Sequence, residues 1–81
     1  MKVQVLLFAD LAESAGSRTM ALELSPGATV TDALETLVER VPAVASRLPV
    51  LAVAVGDRYV QRTMELHDGD ELALIPPVSG G

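Results

Sequence analysis

The segment from Val30 to Val41 constrains the fold most, because it carries the sustained helical pattern of this 81-residue chain. Apolar residues recur there at positions i, i+4, i+7, i+8 and i+11, which form one face of an α-helix. Thr29 and Asp32 stand in the spacing of a capping box at its start, and Pro42 predicts its end near Val41. One amphipathic helix covers one face of a sheet, so the other face is left open.

Alternating apolar and polar residues predict strands on both sides of this helix. We expect strands at residues 2–8, 19–24, 50–55, around Tyr59-Val60 and at 71–75. A short helical turn is expected over 10–16, a connector over 43–49, and turns at 25–27, 56–57 and 67–70. This order predicts an α+β domain over residues 1–75, with a mixed sheet of about five strands and one main helix across one face. Residues 76–81 are predicted to form a flexible, extended C-terminal tail.

The open face of the predicted sheet is unusually apolar. Alternation points Val3, Val5, Leu7, Leu72 and Leu74 toward the helix. The positions that point away are also apolar: Leu6, Phe8, Ala73, Ile75, Ala52 and Ala54. Contiguous exposed apolar surface marks an interaction site. The alternative is an error of one residue in the register, which would exchange the two faces.

Composition excludes several classes of function. A net charge of −5 with scattered basic residues argues against a nucleic-acid partner. The absence of cysteine excludes disulfides, thiolate metal sites and thiol nucleophiles. No apolar run approaches the ~20 residues of a membrane span, and the N-terminus does not resemble a signal peptide. We therefore expect a cytoplasmic protein with neither a membrane nor a nucleic acid as partner.

The sequence contains no arrangement of side chains that is typical of a catalytic site. His67, the one histidine, lies in a polar turn with no nucleophile near it in sequence. Asp68, Asp70 and Glu71 resemble a fragment of a calcium loop, but the full ligand spacing is missing. A solvated turn explains these residues better, so no metal site is predicted. An enzyme that acts alone is the least expected class.

The end of the chain is its most suggestive chemical feature. Pro76 and Pro77 stiffen the root of the tail, and six extended residues reach about 18–20 Å. Gly80 and Gly81 have no side chains, so the tip suits a narrow channel. A terminal carboxylate is a poor electrophile and needs activation, for example as an acyl-adenylate. Because this chain offers no residues for that step, the tail predicts an enzyme partner; the alternative is a frayed terminus.

Three segments carry a resemblance to a known family. DGDELALIPPVSGG at 68–81, KVQVLLFADLAESAG at 2–16 and PGATVTDALETL at 26–37 resemble the small subunit of molybdopterin synthase. The resemblance spans essentially the whole chain, and its main departure is Gly56-Asp57, where many relatives have Asn-Gly. It implies a ubiquitin-like β-grasp fold, in which the first and last strands pair in parallel at the centre of the sheet.

The resemblance also implies a function as a sulfur carrier. In that family the C-terminal glycine, here Gly81, is adenylated by an E1-like activating enzyme using ATP, and a sulfur-donor system converts it to a thiocarboxylate. The loaded tail inserts into the large synthase subunit, which holds the catalytic side chains, and delivers sulfur to cyclic pyranopterin monophosphate in molybdenum cofactor biosynthesis. Two small subunits flank a dimer of large ones, and no cofactor is bound permanently. The inserted tail corresponds to Val78, Ser79, Gly80 and Gly81, and the partner interface to Phe8, Tyr59, Ile75, Pro76 and Pro77.

Three other functions stay open from the sequence. Thiamine sulfur carriers share the fold and the Gly-Gly end but are usually shorter and lack PPVSGG. A ubiquitin-like protein modifier would join Gly81 to lysines through an isopeptide bond. A β-grasp interaction module would bind partners through its surface and have an inert tail.

Overall fold

A computed structural model describes residues 1–77 and shows one five-stranded mixed sheet. The elements in chain order are β1 (Lys2–Leu7), α1 (Asp10–Ala15), β2 (Thr19–Glu23), α2 (Val30–Arg40), a 3₁₀ helix (Pro42–Val50), β3 (Ala52–Val55), β4 (Arg58–Tyr59) and β5 (Glu71–Ile75). The strand order across the sheet is β2-β1-β5-β3-β4. The predicted α+β class, mixed sheet and single main helix are therefore confirmed. Within the described part of the chain, no helix has the length and apolar character needed to cross a membrane.

The first and last strands lie side by side and run in the same direction. Leu6 of β1 pairs with Ala73 of β5, and the two strands are parallel, as the resemblance implies. The other neighbouring strands are antiparallel. Because β1 and β5 are parallel, their C-terminal ends lie at the same end of the sheet, and the C-terminal tail begins there.

The main helix begins with the capping box that the sequence predicts. The backbone N–H of Asp32 donates to Thr29 Oγ1 over 3.3 Å, and the N–H of Thr29 donates to Asp32 Oδ2 over 2.9 Å. These two bonds satisfy backbone donors that a helix N-terminus leaves free. The buried residues of α2 are Val30, Ala33, Leu34 and Leu37. Val38, expected on this face, is only half-buried, whereas Ala33 was not expected there.

The core lies between α2 and the inner face of the sheet. Val3, Val5 and Leu7 of β1 and Leu72 and Leu74 of β5 are at most 2% exposed. These are the positions that alternation assigns to the inner face, so the predicted register is confirmed. A shift of one residue would have exposed this entire set.

The segment after α2 differs most from the sequence-based expectation. Residues 43–49 were expected to form a plain connector, but Pro42–Val50 forms a 3₁₀ helix with Val44 fully buried. The strand predicted at 50–55 begins only at Ala52, and Val50 is 58% exposed. Val44 and the partly buried Leu48 pack against the core, and Arg62 donates to the Leu48 carbonyl oxygen. These are tertiary contacts, which local propensity does not predict.

Three other strands differ from the expectation by one residue. β1 stops at Leu7 and β2 stops at Glu23, each one residue early, and the short strand is Arg58–Tyr59 in place of Tyr59-Val60. Boundaries of this kind shift by a residue or two where the chain leaves the backbone pairing.

Candidate functional site: the open sheet face

The outer face of the sheet has a row of residues in register across four strands. Leu6 lies beside Ala73, Ala73 beside Ala54, and Ala54 beside Tyr59. Side chains directly opposite each other on neighbouring strands are in contact. The two small alanines therefore lie between the larger side chains of Leu6 and Tyr59. The result is a concavity of about 270 Å³. We call it the face concavity; it is lined by Leu6, Phe8, Ala54, Gly56, Asp57, Tyr59, Glu71, Ala73 and Ile75.

The chain's two aromatic residues both line the face concavity and are both solvent-accessible. Phe8 is 47% exposed and Tyr59 is 73% exposed. Leu6, Ala73 and Ile75 are half-buried, Ala52 is exposed, and Ala54 is nearly covered by its neighbours. The predicted outward apolar face is therefore present. Exposed aromatics grouped around an apolar floor are typical of a protein-binding surface.

The turn between β3 and β4 sets the position of Tyr59. Val55 pairs with Arg58, so Gly56 and Asp57 form a two-residue hairpin loop. Their φ angles are 56° and 67°, the positive values that a type I′ turn requires at both central positions. This tight turn places Tyr59 opposite Ala54 and brings the Asp57 carboxylate to the rim of the concavity.

A second strained turn lies next to Phe8. Ala9 has φ 53° and ψ −130°, a region that residues with a side chain rarely occupy. The N–H of Leu11 donates to the Phe8 carbonyl oxygen over 3.1 Å and closes the turn. Among residues 1–77, Ala9 and Asp57 are the non-glycine residues with positive φ. Both are close in sequence to an exposed aromatic of the face concavity, so strained backbone is concentrated around this site.

Sequence reasoning missed the acidic part of the rim. Asp57 and Glu71 both line the face concavity and are exposed. Glu71 could have been found, because it alternates with Ala73 and Ile75 on the same face of β5. Asp57 could not, because its position depends on the geometry of the turn. The polar side chains of the concavity are two carboxylates and one phenol, which suits recognition of a partner better than catalysis.

The root of the tail lies beside the face concavity. Pro76 is half-buried and Pro77 is exposed, and both follow directly from Ile75 at the end of β5. Neither proline lines the concavity, although both were predicted to belong to the partner interface with Phe8, Tyr59 and Ile75. The tail residues predicted to enter the partner, namely Val78, Ser79, Gly80 and Gly81, lie outside the described residues.

The aspartate side chains of the polar turn at residues 67–70 accept hydrogen bonds that hold the backbone. Asp68 Oδ1 accepts the Lys2 N–H over 2.7 Å, and Asp70 Oδ2 accepts the His67 N–H over 2.8 Å. The acidic side chains of the turn thus bind backbone N–H groups. Within residues 1–77, no group of three or more acidic or histidine side chains is arranged to hold a metal ion.

The fold and this site together define a ubiquitin-like β-grasp domain with an apolar sheet face at the root of its C-terminal tail. The model of the ThiS family matches residues 5–81, and the chain belongs to that family.

The chain is also similar to individual sulfur-carrier and modifier proteins. The chain is 40% identical over 83 residues to the molybdopterin synthase sulfur carrier subunit of Chlamydomonas reinhardtii, with all of both chains covered. It is 46% identical over 90 residues to small archaeal modifier protein 1 of Haloferax volcanii, covering 93% of this chain and 95% of that protein. A crystal structure of the Haloferax protein superposes with a TM-score of 0.89 at 40% identity, covering 95% of this chain and 98% of the other.

Proposed function

We propose that this protein is the sulfur-carrier subunit of molybdopterin synthase and that Gly81 carries the sulfur as a thiocarboxylate. The observation that carries the proposal is the placement of the exposed apolar face at the end of the sheet from which the tail departs. Membership of the ThiS family and the name of the Chlamydomonas relative support it. As the proposed terminus, Gly80-Gly81 would supply an unhindered carboxylate for the chemistry.

The proposed loading of the tail has two chemical steps. The Gly81 carboxylate attacks the α-phosphate of ATP on an E1-like activating enzyme, which forms an acyl-adenylate and releases pyrophosphate. A hydrosulfide equivalent from a sulfur-donor system then attacks the acyl carbon, and AMP leaves with the electrons of the broken C–O bond. One oxygen of the carboxylate has been replaced by sulfur. Because ATP and these enzymes are cytoplasmic, we place the carrier in the cytoplasm.

The proposed partners dock on the face concavity while the tail enters their active sites. An apolar side chain of the partner would fill the space above Ala54 and Ala73, between Phe8 and Tyr59. The rim carboxylates of Asp57 and Glu71 favour a partner surface with basic residues, as does the net charge of −5. In the complete synthase, two carriers would flank a dimer of large subunits that hold the catalytic residues and bind cyclic pyranopterin monophosphate.

The intact mass of the protein tests the carrier function directly. The purified chain is incubated with ATP, the activating enzyme and a sulfur source, and we expect a mass increase equal to the exchange of one oxygen for sulfur, located at Gly81. A chain extended by one alanine is the matched control, because it keeps the folded domain but lacks the terminal glycine carboxylate. No mass change, with an activating enzyme that loads another carrier, would contradict the proposal and favour a simple interaction module.

A protein modifier is the second candidate, favoured by the name of the Haloferax relative at 46% identity. In that case the Gly81 acyl-adenylate would react with a lysine amine of a target, forming an isopeptide bond and releasing AMP. Covalent adducts that carry this chain in lysate, found under conditions that load the tail, would support this function. If the alanine-extended chain formed the same adducts, they would not arise from Gly81.

A further inference from the structure

Strand β2 is an edge of the sheet. It has five residues and one neighbour, β1, whereas the opposite edge is the two-residue strand β4. An edge strand presents unpaired N–H and C=O groups, to which a strand of another molecule can bind. The longer edge of this sheet is therefore the place where a second chain could extend it.

The pairing between β1 and β2 shows which groups point outward. The Leu7 N–H donates to the Arg18 carbonyl oxygen over 2.8 Å, and the Leu24 N–H donates to the Met1 carbonyl oxygen over 2.8 Å. In an antiparallel pair, hydrogen-bonded and non-hydrogen-bonded residue pairs alternate. Thr19, Ala21 and Glu23 stand between these bonded positions, so their backbone N–H and C=O groups face the free edge.

Two side chains from outside the strand occupy this edge. Ser17 Oγ donates to the Thr19 carbonyl oxygen over 2.7 Å and accepts the Thr19 N–H over 3.2 Å. Arg40, at the last position of α2, donates from Nη1 to the Ala21 carbonyl oxygen over 2.9 Å. Three of the outward backbone groups on β2 are thus already hydrogen-bonded.

We propose that Ser17 and Arg40 close the β2 edge to strand addition and so prevent a second copy of this chain from pairing through β2. The pairing that they prevent is antiparallel and two-fold symmetric about Ala21. It would join two five-stranded sheets into one and set Thr19 of each copy opposite Glu23 of the other, which brings no like charges face to face. Side-chain caps of this kind are one way in which natural sheets avoid edge-to-edge association.

This proposal goes beyond the carrier function and does not depend on it. It concerns the β2 edge alone and not the two-residue edge strand β4.

The test compares two double variants with the same change in composition and charge. Ser17→Ala with Arg40→Ala opens the edge, whereas Ser46→Ala with Arg58→Ala removes a serine and an arginine elsewhere. Sedimentation equilibrium over micromolar to millimolar concentrations measures the dimer. We expect the wild type and the control to stay monomeric over this range. The edge variant should dimerise with a Kd at least about tenfold below the lower limit set for the wild type. Equal behaviour of the two variants would overturn the proposal.

A proline at Ala21 identifies the surface involved. The Ala21 N–H faces the free edge, so Ala21→Pro removes a donor that β1 does not use. Adding Ala21→Pro to the edge variant should restore the monomer. A dimer that survives this change would use another surface and would refute the proposal.

A conservative pair protects the test against loss of folding. Ser17→Thr with Arg40→Lys keeps a hydroxyl and a cation at both positions and should remain monomeric. Circular dichroism checks that each variant is folded. If Ser17→Ala with Arg40→Ala does not fold, Arg40→Met alone is measured in its place, because methionine keeps a long unbranched side chain but cannot donate to the Ala21 carbonyl oxygen. A monomer in that case would count against the proposal.

Discussion

Replacing Tyr59 with alanine should weaken binding to the proposed partner, the large synthase subunit, far more than it weakens folding. Tyrosine buries about 150–250 Å² when it is fully covered, and 73% of Tyr59 is exposed in the free protein. A partner could therefore cover about 110–180 Å² more, worth up to ~3–4.5 kcal/mol at ~25 cal/mol per Å². Partial coverage of the phenol reduces this to about 2 kcal/mol, or roughly 30-fold in Kd. The area already buried in the monomer, about 50 Å², limits the loss in folding to ~1 kcal/mol.

Isothermal titration calorimetry with the purified large subunit measures this difference, and urea denaturation measures the cost to folding. Val50→Ala is the matched control, because Val50 is 58% exposed but does not line the face concavity. We expect that variant to bind like the wild type. If Tyr59→Ala bound with unchanged Kd, or if Val50→Ala weakened binding equally, the assignment of the open face as the docking surface would be wrong.

Three further predictions concern stability, each measured as the free energy of unfolding in urea. Leu37→Ala should cost about 3 kcal/mol, because Leu37 is 0% exposed under the main helix; a loss below ~1 kcal/mol would show that the core collapses around the cavity. Arg62→Ala should cost about 2 kcal/mol, because its guanidinium donates to the carbonyl oxygens of Leu48 and Leu51; Arg62→Lys should lose part of this, and an unchanged midpoint would contradict the role. Asp57→Gly should stabilise the protein by about 0.5 kcal/mol, because glycine relieves the positive φ of the turn; destabilisation would mean that the Asp57 side chain supports the turn.

Local patterns in the sequence determined much of the architecture. The capping box at Thr29 and Asp32, the apolar spacing of α2 and the stop at Pro42 depend on residues within a few positions of each other, so they could be predicted without knowing the fold. Alternation likewise predicted which residues of β1 and β5 face the core, because side-chain direction in a strand depends only on position along it. The Gly-Gly end and the two prolines before it predict a tail that acts in a partner, and this stays a prediction.

The tertiary structure decided the shape of the candidate site. The concavity exists because Leu6, Ala73, Ala54 and Tyr59 fall in one row, and that register joins residues far apart in sequence. The same holds for the burial of Val44 in the 3₁₀ helix and for the reach of Arg40 to the edge of β2. These features depend on hydrogen bonds and packing between distant segments. A single sequence contains each of these residues but not which of them meet, so only the folded chain brings together the residues of the face concavity and those at the β2 edge.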